Sequence, residues 1–209
     1  MKNFILFLKN LLIHYGLYKI EYKFSPKINF GSKKANNFFK KKIKKSNLIF
    51  EYGAGNSTHF MEKNKLNYIS IESKKNIFND LRKNKLNVSL FSLGITKRYS
   101  IPYFIKLNKK KIIRYANSIY YFKKIKPDLI LIDGRFRVMC FFSVMFFLKK
   151  KNFHKTNVII DDFNRKEYSI INHYFKVIKV GRIGVAKISN QKKKFNLKKI
   201  ETKYLLDPS

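Results

Sequence analysis

The chain has no tryptophan and a single cysteine, Cys140. One thiol excludes an internal disulfide and fits a reducing cytosol; within its apolar surroundings Cys140 reads as a small buried residue. Acids are almost as scarce, with twelve Asp and Glu against 47 Lys and Arg, a formal charge of +35 over 209 residues. Arginine is also rare: seven of these cations are arginine and 40 are lysine. Groove and phosphate readers favour the bidentate guanidinium, and no aromatic-interleaved RNA motif accompanies the lysines. They run through every segment beside Asn, Ile, Phe and Tyr, as solvated faces do. A basic RNA-binding protein is therefore a rival reading, and contact with an anionic surface a standing expectation.

A long uninterrupted apolar run is missing too. The first twenty residues, MKNFILFLKNLLIHYGLYKI, are broken by Lys9, Asn10 and His14, too short for a spanning helix, and no small-residue cleavage site follows. Phe4, Leu8, Leu11, Leu12 and Tyr15 share a helical face, which predicts a helix packed on the domain. Its rival is a helix lying on the inner membrane surface.

The most informative stretch present is LIFEYGAGNSTHF, from Leu48 to Phe60. It combines a short buried strand, a glycine turn able to let a ligand approach the backbone, and helix-starting residues Asn56, Ser57 and Thr58. A strand ending in a glycine loop that opens a helix is the nucleotide crevice of α/β proteins. The dinucleotide pattern G-x-G-x-x-G would need glycine where Thr58 stands.

Read in order, an irregular link follows the N-terminal helix and leads to a helix over Ala35–Lys45. Strands then alternate with helices: Leu48–Phe50, helix Thr58–Lys65, Leu66–Glu72, helix Ser73–Lys85 and Leu86–Leu93. A stretch from Gly94 to Lys126 holds a helix with Ile112, Ile113, Tyr115, Ile119 and Phe122, and reads either as a partial lid or as a solvated excursion. Strand Leu129–Asp133, an apolar helix Phe136–Lys149, strand Asn157–Asp162, a helix over Asn164–Phe175 and a hairpin over Phe175–Ser189 follow. This alternation predicts an α/β fold, a Rossmann-like doubly wound sheet that is mainly parallel with a C-terminal antiparallel hairpin. The domain spans 33–190, preceded by the helix and link (1–32) and followed by a basic tail (191–209) expected to cover an edge.

With so few acids, their positions carry information. Glu51, Glu72, Asp133, Asp161 and Asp162 all fall at the carboxyl ends of predicted strands, where open α/β sheets bind ligands. Glu72 lies 17 positions after Gly55, near the spacing at which a carboxylate accepts two ribose hydroxyls. Such hydrogen bonds are worth about 1.5–3 kcal/mol each. Glu51 either orients the glycine loop or meets a positive end of the ligand. Asp133, Asp161 and Asp162 would repel one another unless neutralised. A Mg²⁺ held by the three is one solution; Arg135, Arg137 and Arg165 are the other.

The string EYGAGNST resembles the first motif of class I S-adenosylmethionine-dependent methyltransferases. With IDGRFRVMC and DDFNRKEY added, the chain resembles, over about Ala35 to Ser189, a family of bacterial methyltransferase-like proteins of this class. These carry EYGxGxST-type and DGRFR-type segments. The resemblance implies that S-adenosylmethionine is bound by Gly53, Gly55, Ser57, Thr58 and Glu72, with Glu51 at the loop. It puts Asp133, Arg135, Arg137, Asp161, Asp162, Arg165 and Tyr168 on the acceptor side, with Asp133, Arg135, Asp161 and Arg165 as catalytic candidates. The aspartates after strands four and five are similar in placement to the Mg²⁺ site of catechol O-methyltransferase-like enzymes. The expectation is a cytoplasmic O-methyltransferase acting on a hydroxyl or carboxylate of a small molecule or saccharide; a basic RNA-binding protein or RNA methyltransferase is the second reading, and a peripheral membrane-associated, non-catalytic Rossmann module a further rival. Two departures stand out: no acid for adenine follows strand three, where Ser92, Leu93 and Gly94 occur, and no Asn-Pro-Pro-Tyr type base-methylation motif follows strand four.

Overall fold

The computed structural model describes residues 2–18 and 22–208. Seven strands form one sheet in the order β3-β2-β1-β4-β5-β7-β6. They are β1 (Ile49–Tyr52), β2 (Tyr68–Glu72), β3 (Val88–Leu90), β4 (Leu129–Ile132), β5 (Asn157–Ile160), β6 (Ile178–Val180) and β7 (Ile183–Ala186). The first five are parallel, while β7 runs antiparallel to both β5 and β6. The fold is therefore the Rossmann-like sheet expected, mostly parallel with an antiparallel C-terminal pair.

Continuous burial along IFEY and LILI follows from their central place, since a parallel strand covered on both faces has no polar side to offer. Alternation sends Phe50, Tyr52, Ile130 and Ile132 to one face. There they meet α6 (Arg137–Lys150) and, beside it, α5 (Lys109–Ala116), whose Ala116 carbonyl accepts from the Tyr52 hydroxyl at 3.0 Å, while α8 (Leu197–Tyr204) packs on α6. Ile49, Leu129 and Leu131 face α2 (Lys33–Ile43) and α3 (Asn56–Lys63), represented by Phe39, Ile43 and Met61. Helix α6 is apolar over most of its surface because the sheet, α5 and α8 all pack against it.

Two sequence expectations change. The basic tail does not cover a sheet edge: α8 lies on α6, with Phe195 ring-to-ring with Phe142 at 5.0 Å. The N-terminal helix α1 (Lys2–Tyr15) does pack on the domain, but through the other stripe. Asn10 and Ile13 are buried and Phe7 sits edge-on to Tyr103, whereas Phe4, Leu8, Leu12 and Tyr15 are exposed. Both stripes are apolar, and the one turned inward also carries Asn10, whose Nδ2 donates to the Tyr103 hydroxyl at 3.0 Å. Residues 19–21, which complete the N-terminal stretch, lie outside the described set.

Candidate functional site

Strand order reverses direction between β1 and β4, so the loops leaving these neighbours diverge and open a crevice at their carboxyl ends. Gly53 follows β1 with φ +90°, and a Cβ there would come within 2.6 Å of Gly134 Cα and N. Glycine is thus required where the two loops touch. A cleft of about 260 Å³ lies over this contact, lined by the glycine loop (Gly53, Gly55, Ser57), by Glu72 and Ile77, and by Asp133 and Arg135. Lys27 and Phe30 from the N-terminal link and Tyr99 from the excursion after β3 complete its walls.

Glu51 does not reach this cleft. Period two puts it on the face of Ile49, directly across from Ser70 of β2, and it is fully buried. Its carboxylate accepts from the hydroxyls of Ser57, of Thr58 at 2.6 Å and of Ser70 at 2.6 Å. The Thr58 oxygen in turn accepts from the amide of Gly55 at 2.9 Å. Burial raises the Glu51 carboxyl above its usual range and the three hydroxyls pull the other way. Of the two roles open to it, Glu51 has that of holding the loop, and Thr58 lies beneath the cleft with it.

Glu72 is different. The amides of Ser73 and Lys74, both at 2.7 Å, and the Ser73 hydroxyl all donate to Oε1, leaving Oε2 for a ligand. Burial pushes its carboxyl up to about 7, against the lowering effect of those donors.

Arginines neutralise the aspartate cluster. Arg137, almost wholly buried, donates through Nη2 to Asp133 at 2.9 Å and through Nη1 to the carbonyl of Asp161 at 2.7 Å. Arg165 Nη2 binds Asp162 at 2.6 Å. The third cation is Arg182 rather than Arg135, and it engages both oxygens of Asp161. Its signal in the sequence was only rarity: one of seven arginines, next to the hairpin turn at Gly181. Burial would raise Asp162, yet Arg137 and Arg165 outweigh it and hold its carboxyl below the usual range. Among the described residues no group of three metal-ligating side chains converges. Mg²⁺ does not fit this donor set, because each aspartate is already committed to a guanidinium.

Asp133 and Arg135 therefore line the cleft, while Asp161, Asp162 and Arg165 do not. Tyr168 is fully buried and stacked on Phe163, outside the cleft. Burial raises the Asp133 carboxyl above its usual range, with Arg137 opposing the rise and Asp161 adding to it; one-third of its side chain is open to solvent. Among the described residues Arg135 has no carboxylate within ion-pair distance. Burial, followed by the charge of Arg137, lowers its pKa. The next residue, Phe136, starts α6 with φ +54°, a left-handed conformation rare for a bulky side chain. It turns the chain sharply enough to leave Arg135 in the cleft and Arg137 under it.

The chain has the fold of a methyltransferase-like protein. A crystal structure of such a protein from Silicibacter pomeroyi superposes with a TM-score of 0.68 over 89% of this chain and 100% of that one, at 17% identity. No protein-family model and no curated protein matches the chain by sequence. At that identity the likeness speaks for the fold, and the site must speak for the chemistry.

Proposed function

We propose that the protein is an S-adenosylmethionine-dependent methyltransferase of class I acting on a hydroxyl or carboxylate of a small-molecule or saccharide acceptor in the cytoplasm. The observation that carries this reading is Glu72: a buried carboxylate at the end of β2, with Oε2 open beside the glycine loop at the sheet's switch point. That is a receptor for a ribose diol. Ile77 and Tyr99 supply apolar lining for a base, and the absent acid after β3 leaves that base held by contact rather than by charge. When bound, S-adenosylmethionine supplies a methyl group already activated by its sulfonium.

The chain's own work is alignment, exclusion of water and removal of one proton. Asp133 is the base. Burial lifts its carboxyl above the usual aspartate range, which makes the carboxylate a stronger base than a free aspartate. It would take the acceptor's hydroxyl proton on Oδ; a carboxylate acceptor would need no such step. Arg135, half-buried without an acidic partner, would hold an anionic part of the acceptor. No step runs through a metal, since the aspartates are paired to arginines.

Calorimetry with S-adenosylhomocysteine tests the cofactor. Binding by the wild type and at least tenfold weaker binding by Glu72→Ala are expected; no binding, or an unaffected variant, rejects the assignment.

A further inference from the structure

Helix α1 carries two apolar stripes, and the domain covers one. Phe4, Ile5, Leu8 and Leu12 lie on the outer stripe at exposures of 63%, 60%, 40% and 41%. Residues three and four apart share a helix face, so these four make one surface. The segment against which α1 packs, through Phe7 with Tyr103 and Phe104, adds the exposed Phe104 and Leu107, the latter 83% exposed. Contiguous exposed apolar side chains of this kind mark an interaction surface.

The surrounding charge says what covers it. No Asp or Glu occurs from residue 2 to 18, or from 81 to 127. Lys9 on α1 and Lys97, Lys106, Lys109 and Lys110 on the excursion are all exposed. Lysines also approach the inner side of α1: burial lowers the pKa of His14, and Lys75 and Lys111 lower it further. A partner for an apolar stripe set among unopposed lysines must present hydrocarbon beneath negative charge. No helix among the described residues is long and apolar enough to cross a membrane, which leaves a helix lying in the interface.

We propose that the outer stripe of α1 docks the protein on an anionic phospholipid bilayer, with Phe4, Ile5, Leu8 and Leu12 entering the acyl boundary and the neighbouring lysines meeting the headgroups. Lysines alone would adsorb any polyanion; the apolar stripe makes the contact specific to lipid. The proposal does not depend on methyl transfer.

Flotation of the full chain with vesicles of equal parts phosphatidylcholine and phosphatidylglycerol tests it. The wild type should float with these vesicles and not with pure phosphatidylcholine. The double variant Phe4→Ser/Leu8→Ser keeps the net charge and touches no buried side chain, so its circular dichroism should match the wild type. Its binding should fall at least tenfold. Leu107→Ser, on another element, should weaken binding about threefold even if α1 were to shift. Undiminished binding by both variants would mean adsorption by lysine alone and overturn the proposal. So would a dimer in light scattering that these substitutions dissociate, since the stripe would then be covered by a second copy.

Discussion

Arg182 holds Asp161 side-on, Nε to Oδ1 at 2.8 Å and Nη2 to Oδ2 at 2.9 Å. The same Nη2 donates to the carbonyl of Asn29 at 3.0 Å, so one guanidinium joins the β6–β7 turn, the end of β5 and the N-terminal wall of the cleft. Asp161 is 2% exposed, and without Arg182 its closest cation is Arg137 at 4.0 Å. Breaking a fully buried pair costs about 3–5 kcal/mol. Arg182 is 36% exposed, so Arg182→Ala should cost about 2 kcal/mol by urea unfolding. Arg182→Lys should recover less than half of it, because lysine cannot form the fork. Millimolar Mg²⁺ should leave the wild-type midpoint where it was; a clear rise would show that the carboxylates are free to bind metal after all.

Glu72 predicts a pH dependence in both stability and binding. Its carboxyl moves from 4.5 to about 7 on folding. A raised pKa contributes stability that is complete below 4.5 and is lost as pH rises through about 7. Glu72→Gln should therefore flatten part of the decline in stability across that window. Binding runs the other way. The charged carboxylate is the better acceptor for ribose hydroxyls, so wild-type affinity for S-adenosylhomocysteine should rise with pH and level off above about 7. An affinity that is flat from pH 5 to 8 would separate Glu72 from the ligand.

Much of this was readable from the sequence, and the failures share a cause. Short apolar runs and turn residues located every strand of the sheet to within a few residues. The concentration of acids at strand ends pointed to the edge where the cleft lies. What the sequence could not show was which partner each charged group had already taken. Asp161 reads like a ligand until Arg182 arrives from a hairpin 21 positions away. Glu51 reads like a cofactor contact, although its register partner Ser70, a lone hydroxyl within YISIE, shows which way it points. Helix α1 has two apolar stripes, and which one turns inward is settled by tertiary contacts, Phe7 with Tyr103 and Phe104 and Asn10 with the Tyr103 hydroxyl.

Glu51 links the glycine loop to the sheet, and its removal should therefore damage stability and binding together. Glu51→Ala strands three hydroxyls, on Ser57, Thr58 and Ser70, in a fully buried space. At about 1 kcal/mol for each lost bond, with further cost for a cavity, a loss of about 3–4 kcal/mol is expected. Glu51→Gln keeps the shape and one acceptor oxygen, so it should cost less than half as much and retain measurable affinity for S-adenosylhomocysteine. If Glu51→Ala binds as well as the wild type once folded, the loop is set by something other than this carboxylate.

Tyr115 and Gly134 make the sharpest test of the crevice floor. Among the described residues the buried Tyr115 hydroxyl has no well-aligned hydrogen-bond partner, only a contact with the backbone of Arg135, and a Cβ on Gly134 would collide with it. A buried hydroxyl with only a poorly aligned partner gains little from its position, so Tyr115→Phe should leave stability within about 1 kcal/mol of the wild type. Gly134→Ala overpacks the same point and should lower it by about 2–3 kcal/mol. In the double variant the oxygen is gone, but the ring carbon that bore it still lies 3.2 Å from the new methyl. Relief should therefore be partial, with a coupling of at least about 1 kcal/mol in a double-mutant cycle. Strict additivity would mean that the ring and the glycine do not meet. Because Tyr115 lies beneath the cleft rather than in its lining, Tyr115→Phe should leave S-adenosylhomocysteine affinity unchanged. Gly134→Ala should weaken it, since Gly134 and the glycine loop at Gly53 lie against each other.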